Sequence, residues 1–234
     1  MNTFSRREFF RRSALGVTAA GAGGLILQGD EAPTETSGDL GEYGDYLKEK
    51  PTPSAKFQSK WSPTETVILG PFYREGAPYR AKITPPLTAG TVLVVRGRVW
   101  AHDTRKPLSN AVLDIWQAND NGRYDNDDLK NPPAKGVFEN RARLITDESG
   151  CYEFETIHPG AYQISSGVWR PSHIHYFVRA TGYRSLVTQL YFKGDRYNVK
   201  DEWFRESLCM APRSVRVGDS SYESGEFDIV LGRA

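Results

Sequence analysis

Apolar and polar residues alternate along this chain in short runs rather than at helical spacing. Residues 91–101 (TVLVVRGRVWA) are β-branched and partly alternating, and residues 111–118 (AVLDIWQA) repeat the pattern after the turn-forming Asp103-Thr104-Arg105-Lys106-Pro107. Successive side chains leave opposite faces of a strand, so such a run buries one face and keeps the other polar. Both runs are predicted strands. Residues 143–146 and 152–157 form a further pair, joined by Asp147-Glu148-Ser149-Gly150 as a hairpin loop. Residues 173–180 and 186–192 form another around Thr181-Gly182-Tyr183, and residues 227–231 make a last strand. The one helical candidate is 201–208. Many short strands with Gly and Pro turns predict an all-β fold, a β-sandwich of short mixed strands with long loops and little helix, over residues 64–234.

The pattern differs before residue 64. Residues 28–63 are rich in Gly, Pro, Glu, Thr, Ser and Lys and hold no apolar period, so they are expected to be a linker or arm. Residues 1–27 have the grammar of a signal peptide: Ser5-Arg6-Arg7-Glu8-Phe9-Phe10 resembles the twin-arginine export motif, and an uncharged run from Ala14 to Leu27 follows. That run is shorter than the roughly 20 residues a bilayer span needs, so no stable membrane insertion of the mature chain is expected. Ala20-Gly21-Ala22 fits a small-residue cleavage site. Export places the mature protein in the periplasm or outside the cell.

At 234 residues, 38% hydrophobic and 25% charged, the chain suits one sizeable core. Cleavage after Ala22 lowers the Lys and Arg count from 30 to 26 and the Asp and Glu count from 29 to 28, which turns a formal charge of +1 into about −2. A charge that small and negative gives no electrostatic reason to bind nucleic acid. Cys151 and Cys209 belong to no CxxC pair, and a buried reduced thiol is at least as reasonable as a bond between them. No GxSxG, P-loop or strand-linked GxGxxG occurs. His102 and His158 are expected to face solvent or make local hydrogen bonds, and the acidic run 125–128 lacks the glycine and terminal glutamate of an EF-hand and suits a solvated loop.

The chemistry concentrates in Trp169-Arg170-Pro171-Ser172-His173-Ile174-His175. Two histidines two apart on an extended segment project to one face and can share a metal ion, although an HxH pair alone is compatible with zinc, copper or iron, or with a polar surface. Tyr124 follows Gly122-Arg123, and Tyr162 follows Pro159-Gly160-Ala161. Hard phenolate oxygens with two neutral imidazoles suit ferric iron.

Taken together, residues 114–124 (DIWQANDNGRY), 156–162 (TIHPGAY), 169–175 (WRPSHIH), 69–78 (LGPFYREGAP) and Thr188-Gln189-Leu190 resemble, in order and spacing, the intradiol ring-cleavage dioxygenases. The resemblance implies a non-haem Fe(III) ion held by Tyr124, Tyr162, His173 and His175. It implies a dihydroxylated aromatic substrate and O2 as partners, with cleavage between the two hydroxylated carbons to a muconate-type product. Tyr162 is then both ligand and base for a substrate proton, Arg170 stabilises negative charge on the substrate ring, Gln189 supports Arg170, and Pro71 and Tyr73 line the substrate pocket. Thr104 stands where the family commonly has glycine, and the long helical dimerisation segment of the catechol 1,2-dioxygenase branch is lacking. An oligomer is expected; all four ligand positions lie on this one chain, so a homo-oligomer is possible and an unlike partner is not required. The competing reading is a non-catalytic β-sandwich module that binds aromatic or polyphenolic ligands.

Overall fold

A computed structural model describes residues 61–234. The expected signal segment lies outside the described residues, as does the expected arm apart from its last three. Twelve strands follow among the described residues: β1 Val92–Ala101, β2 Val112–Gln117, β3 Arg141–Ile145, β4 Cys151–Ile157, β5 Tyr162–Ser165, β6 Val168–Arg170, β7 His173–Arg179, β8 Leu186–Phe192, β9 Cys209–Met210, β10 Arg213–Val217, β11 Ser220–Glu226 and β12 Ile229–Leu231. One sheet is built on β1, which pairs antiparallel with β4 on one side and parallel with β11 and then β12 on the other, with β10 beyond β11. The second has the order β3-β2-β7-β8-β9. β5 and β6 make a separate two-stranded hairpin. The architecture is the expected all-β sandwich of mixed strands.

Alternation explains what lies between the sheets. Leu93, Val95 and Val99 of β1 and Tyr152 and Phe154 of β4 meet Leu113 and Ile115 of β2 and Ile174, Tyr176 and Val178 of β7 in one buried cluster. Each fully buried aliphatic side chain contributes about 1.5–3 kcal/mol relative to exposure. Tyr152 crosses this core to donate to the Phe227 carbonyl at 2.6 Å. Thr64 ties the start of the domain to the last strand, its amide donating to the Val230 carbonyl and its hydroxyl accepting from the Val230 amide. Among the described residues no helix is long and apolar enough to cross a membrane.

The alternate residues of the second sheet point the other way. Asp114 and Trp116 of β2 and His173, His175, Phe177 and Arg179 of β7 share its outer face, since Trp116 pairs with His175 and Asp114 with Phe177. Most of these side chains are buried too, because the loops around residues 65–80, 118–140 and 158–172 fold over this face.

Two local expectations are corrected. Residues 147–150 do form a turn, with the Gly150 amide on the Asp147 carbonyl at 2.9 Å, but β3 pairs with β2 and β4 with β1, so the turn crosses between layers and closes no hairpin. Both strands carry apolar residues that need the core, and facing sheets satisfy them better than one ladder. Residues 201–208 are not a helix; only Glu206–Leu208 makes a 3-10 turn, preceded by another at Asn198–Lys200. Asp201 and Trp203 turn instead toward Arg170. Strands β5, β6, β10 and β11 are not legible in the pattern: β10 is largely exposed and β11 carries Ser, Glu and Gly, so neither shows an apolar stripe.

Candidate metal centre

His173 and His175 open β7, and their backbone is pinned on both sides. The Ser172 amide donates to Asp195 Oδ2 at 2.8 Å, and its hydroxyl donates to the Pro159 carbonyl at 2.6 Å. His173 Nδ1 lies 2.6 Å from the Pro171 carbonyl. A carbonyl only accepts, so Nδ1 carries the proton and Nε2 presents a lone pair. The two Nε2 atoms approach to 3.1 Å, and the Tyr124 hydroxyl lies 3.5 Å from His173 Nε2.

The tyrosines arrive on loops that touch backbone to backbone. Asn119 shapes the first: its Oδ1 accepts from the Asn121 and Arg123 amides, and Gly122 adopts a φ of +75°. The Gly160 amide donates to the Asn119 carbonyl at 2.8 Å, which brings in the loop carrying Tyr162. A Cβ on Gly122 would stand 2.4 Å from the Ala161 carbonyl oxygen, and one on Gly160 2.3 Å from that of Asp120. Only glycine permits this approach. The Tyr124 and Tyr162 rings meet edge to face with centroids 5.6 Å apart, and Tyr162 lies 5.7 Å from the His173 ring.

The β5–β6 register sets Tyr162 opposite Arg170. Arg170 is buried and held on several sides: Nη2 donates to Gln189 Oε1 at 2.6 Å and to the Tyr191 hydroxyl at 3.3 Å, Nε donates to Asp201 Oδ2 at 3.2 Å, and the guanidinium lies 4.5 Å from the Trp203 ring centre. Gln189 is fixed in turn by the Tyr191 hydroxyl at 2.8 Å and by its own bond to the Ile68 carbonyl at 3.0 Å. Asp201, Tyr191 and Trp203 are not evident as site residues from the sequence. No local spacing marks them, since they reach Arg170 only through folding.

Aromatic rings wall the cluster. Phe72 stacks on Tyr124 with centroids 4.2 Å apart and meets Tyr162 edge-on at 6.1 Å, while Trp116 stacks on His175 at 4.7 Å. Tyr73, expected along the pocket, packs on Trp116 and Phe177, and Pro71 is exposed. Phe72 is the ring of that segment that touches both tyrosines. His158 is expected to face solvent or bond locally, but it is partly buried and pairs instead with Glu223, 65 positions away, at 2.6 Å. The acidic run 125–128 is corrected: Asp128 is exposed, but the Asp125 side chain is buried between Arg74 and Arg141.

Burial sets the charge states. It pushes His173 down to about 3, helped by the Arg170 charge, and drives His175 well below the usual range, with repulsion from His173 next. Both imidazoles are therefore neutral donors at neutral pH. Burial raises the Tyr124 phenol well above its ordinary value, with Tyr162 adding to the rise, and raises Tyr162 against the opposing Arg170 charge. Two ionised phenols here require a strong cation between them.

The donor set fits a metal ion. Two atoms each about 2.1 Å from one ion, at angles of about 90–120°, stand roughly 3.0–3.6 Å apart, the range of the His173–His175 and Tyr124–His173 distances. Among the described residues no group of three or more His, Cys, Asp or Glu side chains is placed to hold a metal, so phenolic oxygens are needed to complete this one. His173 also has the orienting carbonyl partner that metal-bound imidazoles require.

This fold and donor set define a class, an all-β sandwich with a candidate tyrosine–histidine metal centre on the outer face of one sheet. The chain belongs to the intradiol ring-cleavage dioxygenases: the family described as Dioxygenase matches residues 68–233. It is 36% identical over 172 residues to catechol 1,2-dioxygenase 2 of Acinetobacter lwoffii, covering 66% of this chain and 61% of that one. It is 33% identical over 183 residues to 6-chlorohydroxyquinol 1,2-dioxygenase of Cupriavidus pinatubonensis, covering 72% and 64%. The chain thus spans less than two thirds of the length of these relatives. Among solved structures, the dioxygenase domain of a dioxygenase carbohydrate-binding protein fusion from Streptomyces sp. SirexAA-E superposes with a TM-score of 0.61 at 34% identity, covering 74% of this chain and 100% of that domain.

Proposed function

We propose that this protein holds one ferric ion through the oxygens of Tyr124 and Tyr162 and the Nε2 atoms of His173 and His175, and cleaves a catechol-type ring between its two hydroxylated carbons with both atoms of O2. The observation that carries this reading is the convergence of two neutral imidazole nitrogens 3.1 Å apart beside a buried phenol, with a second phenol edge-on to the first. The names of the two relatives, a catechol and a chlorohydroxyquinol dioxygenase, support a dihydroxylated aromatic as substrate. Held by Tyr124, Tyr162, His173 and His175, a ferric ion would supply the Lewis acidity that keeps both phenols ionised and makes a catechol-type ring reactive toward O2.

The chain's own groups do the rest. Tyr124 is 4% exposed and stacked on Phe72, which suits a ligand that stays in place. Tyr162 is less buried and begins a hairpin belonging to neither large sheet, which suits a phenol oxygen that takes a proton from a catechol hydroxyl. Arg170 sets a fixed positive charge beside Tyr162, where the substrate ring gains negative charge; Gln189 and Asp201 hold that charge in orientation. The Phe72 ring excludes water and offers an apolar face to an aromatic substrate. A module that only binds aromatics has no use for a buried guanidinium held on several sides, which favours the enzyme.

The test is a visible spectrum of metal-analysed protein, followed by oxygen uptake with catechol and with hydroxyquinol. Red-brown colour with one iron per chain and oxygen consumption is expected. Colourless protein that stays inert after ferric reconstitution would refute it and leave the aromatic-binding module.

We also propose export by the twin-arginine pathway to the periplasm or beyond, supported by Arg6-Arg7 ahead of an uncharged run. Cytoplasmic retention of an Arg6→Lys, Arg7→Lys variant would support this, and unchanged export would not. The presence of all four ligand positions on one chain supports an assembly of like subunits, and light scattering on the purified protein tests it.

A further inference from the structure

Arg141 opens β3 with its side chain 2% exposed, and no motif or spacing in the sequence singles it out. Its guanidinium donates from Nε to Asp125 Oδ1 at 2.8 Å, from Nη2 to Asn126 Oδ1 at 2.7 Å, and from Nη1 to the Phe72 carbonyl at 2.5 Å. Asp125 and Asn126 directly follow Tyr124, and the Phe72 ring is the one stacked on Tyr124. Arg74 takes the other oxygen of Asp125 at 2.6 Å, so the carboxylate has a cation on each side. One planar fork on a sheet strand thus grips both the chain behind the tyrosine and the backbone of the residue whose ring stacks in front of it.

Energetics support a geometric role. Desolvating a guanidinium and a carboxylate costs several kcal/mol, and apolar residues of similar volume often do as well or better for stability. What the pair supplies is directional: three acceptors from two separate segments, each fixed within hydrogen-bond distance.

We propose that Arg141 is the positioning residue for Tyr124 and Phe72, locking a metal ligand and the substrate-facing wall to β3 as one unit. Its spectroscopic arm rests on the ferric reading above. By contrast, the hairpin that carries Tyr162 ends in exposed Ile164 and Val168, and its register shifts between Gln163 and Ser165. The structure therefore holds one tyrosine firmly and leaves the other on a lighter mount.

The experiment compares wild type with Arg141→Lys, which keeps the charge and loses the fork, and with Tyr152→Phe, which deletes a buried hydrogen bond to the Phe227 carbonyl away from the site. Thermal stability, iron lost to a chelator, the tyrosinate-to-iron absorption band and crystal structures of the proteins as purified are measured. For Arg141→Lys we expect iron affinity to fall roughly 10–100-fold, the band to shift, and Tyr124 and Phe72 to move while His173 and His175 stay. Tyr152→Phe is expected to lose stability with the band unmoved. A folded Arg141→Lys protein with unchanged iron retention, band and ring positions would overturn the proposal. If Arg141→Lys does not fold, Asn126→Ala, which removes one acceptor, is expected to shift the same readouts less, and no shift overturns the proposal. Wild-type protein that takes up no iron sinks the ferric reading, and the ring positions in the crystals still decide the role of Arg141.

Discussion

Substituting Gly160 by alanine separates steric from conformational control of this site. The added Cβ would stand 2.3 Å from the Asp120 carbonyl oxygen and 2.6 Å from the Gly122 nitrogen, both backbone atoms that no rotamer change can move. Ordinary contact lies near ~3.5 Å, so the two tyrosine-bearing loops must separate by about 1 Å. Overpacking of that kind costs about 1–3 kcal/mol, and a displacement of about 1 Å in a reacting group costs about 100-fold in rate. Gly160 has no positive φ, so backbone strain adds nothing. Two other glycines complete the comparison. Gly136, at φ +82° with nothing within 4 Å of an added methyl, isolates the left-handed cost, about 1 kcal/mol. Gly122, at φ +75° and 2.4 Å from the Ala161 carbonyl oxygen, combines both effects. The expected order of destabilisation is Gly122→Ala, then Gly160→Ala, then Gly136→Ala, at roughly 2–4 °C in Tm per kcal/mol. Activity is expected to collapse in the first two only. Oxygen uptake, iron content and thermal melts check this. Gly160→Ala protein with full iron and wild-type turnover would refute the reasoning.

Arg170→Ala is expected to keep iron yet lower turnover by about 100–1,000-fold, as loss of a preorganised charge does. It also strands Asp201, so stability should fall by about 3 kcal/mol; unaltered turnover in iron-loaded protein would remove Arg170 from the reaction. Tyr124→Phe is expected to reduce iron retention more than Tyr162→Phe, and Tyr162→Phe to cut turnover in protein that still binds iron, with the reverse pattern exchanging the two roles. Cys151 and Cys209 are thiols not joined in a disulfide, and Cys151 Sγ accepts from Arg98 Nε at 3.0 Å. Dithiothreitol is accordingly expected to leave Tm unchanged, and a drop would reveal a disulfide.

Much of this protein is legible in its sequence because alternation and motif spacing are local. The pattern of residues 91–101, 111–118, 173–180 and 186–192 locates four strands of the sandwich to within one or two residues. His173 and His175 share a face because residues two apart on a strand must. The pairing of Gln189 with Arg170 is implied by the family resemblance, and the 2.6 Å bond agrees with it.

Other features depend on which distant segments meet. The turn at 147–150 has the same residues whether its strands pair or part, and the demand of two facing sheets for apolar side chains decides that they part. Residues 201–208 have helical spacing, yet Asp201 and Trp203 gain more from the buried Arg170 than from another helical turn. Asp125 is one of four polar residues in a row until Arg141, brought in from β3, makes it a buried anchor. Alternation and motif order are written within a few residues, so the sequence located four strands and the shared histidine face, and the family resemblance carried by those motifs named the four candidate donors. The grip on Tyr124 and on Arg170 joins groups as far apart in sequence as Arg141 and Phe72, 69 positions, and Gln189 and Ile68, 121 positions, which meet only once the sheets have formed.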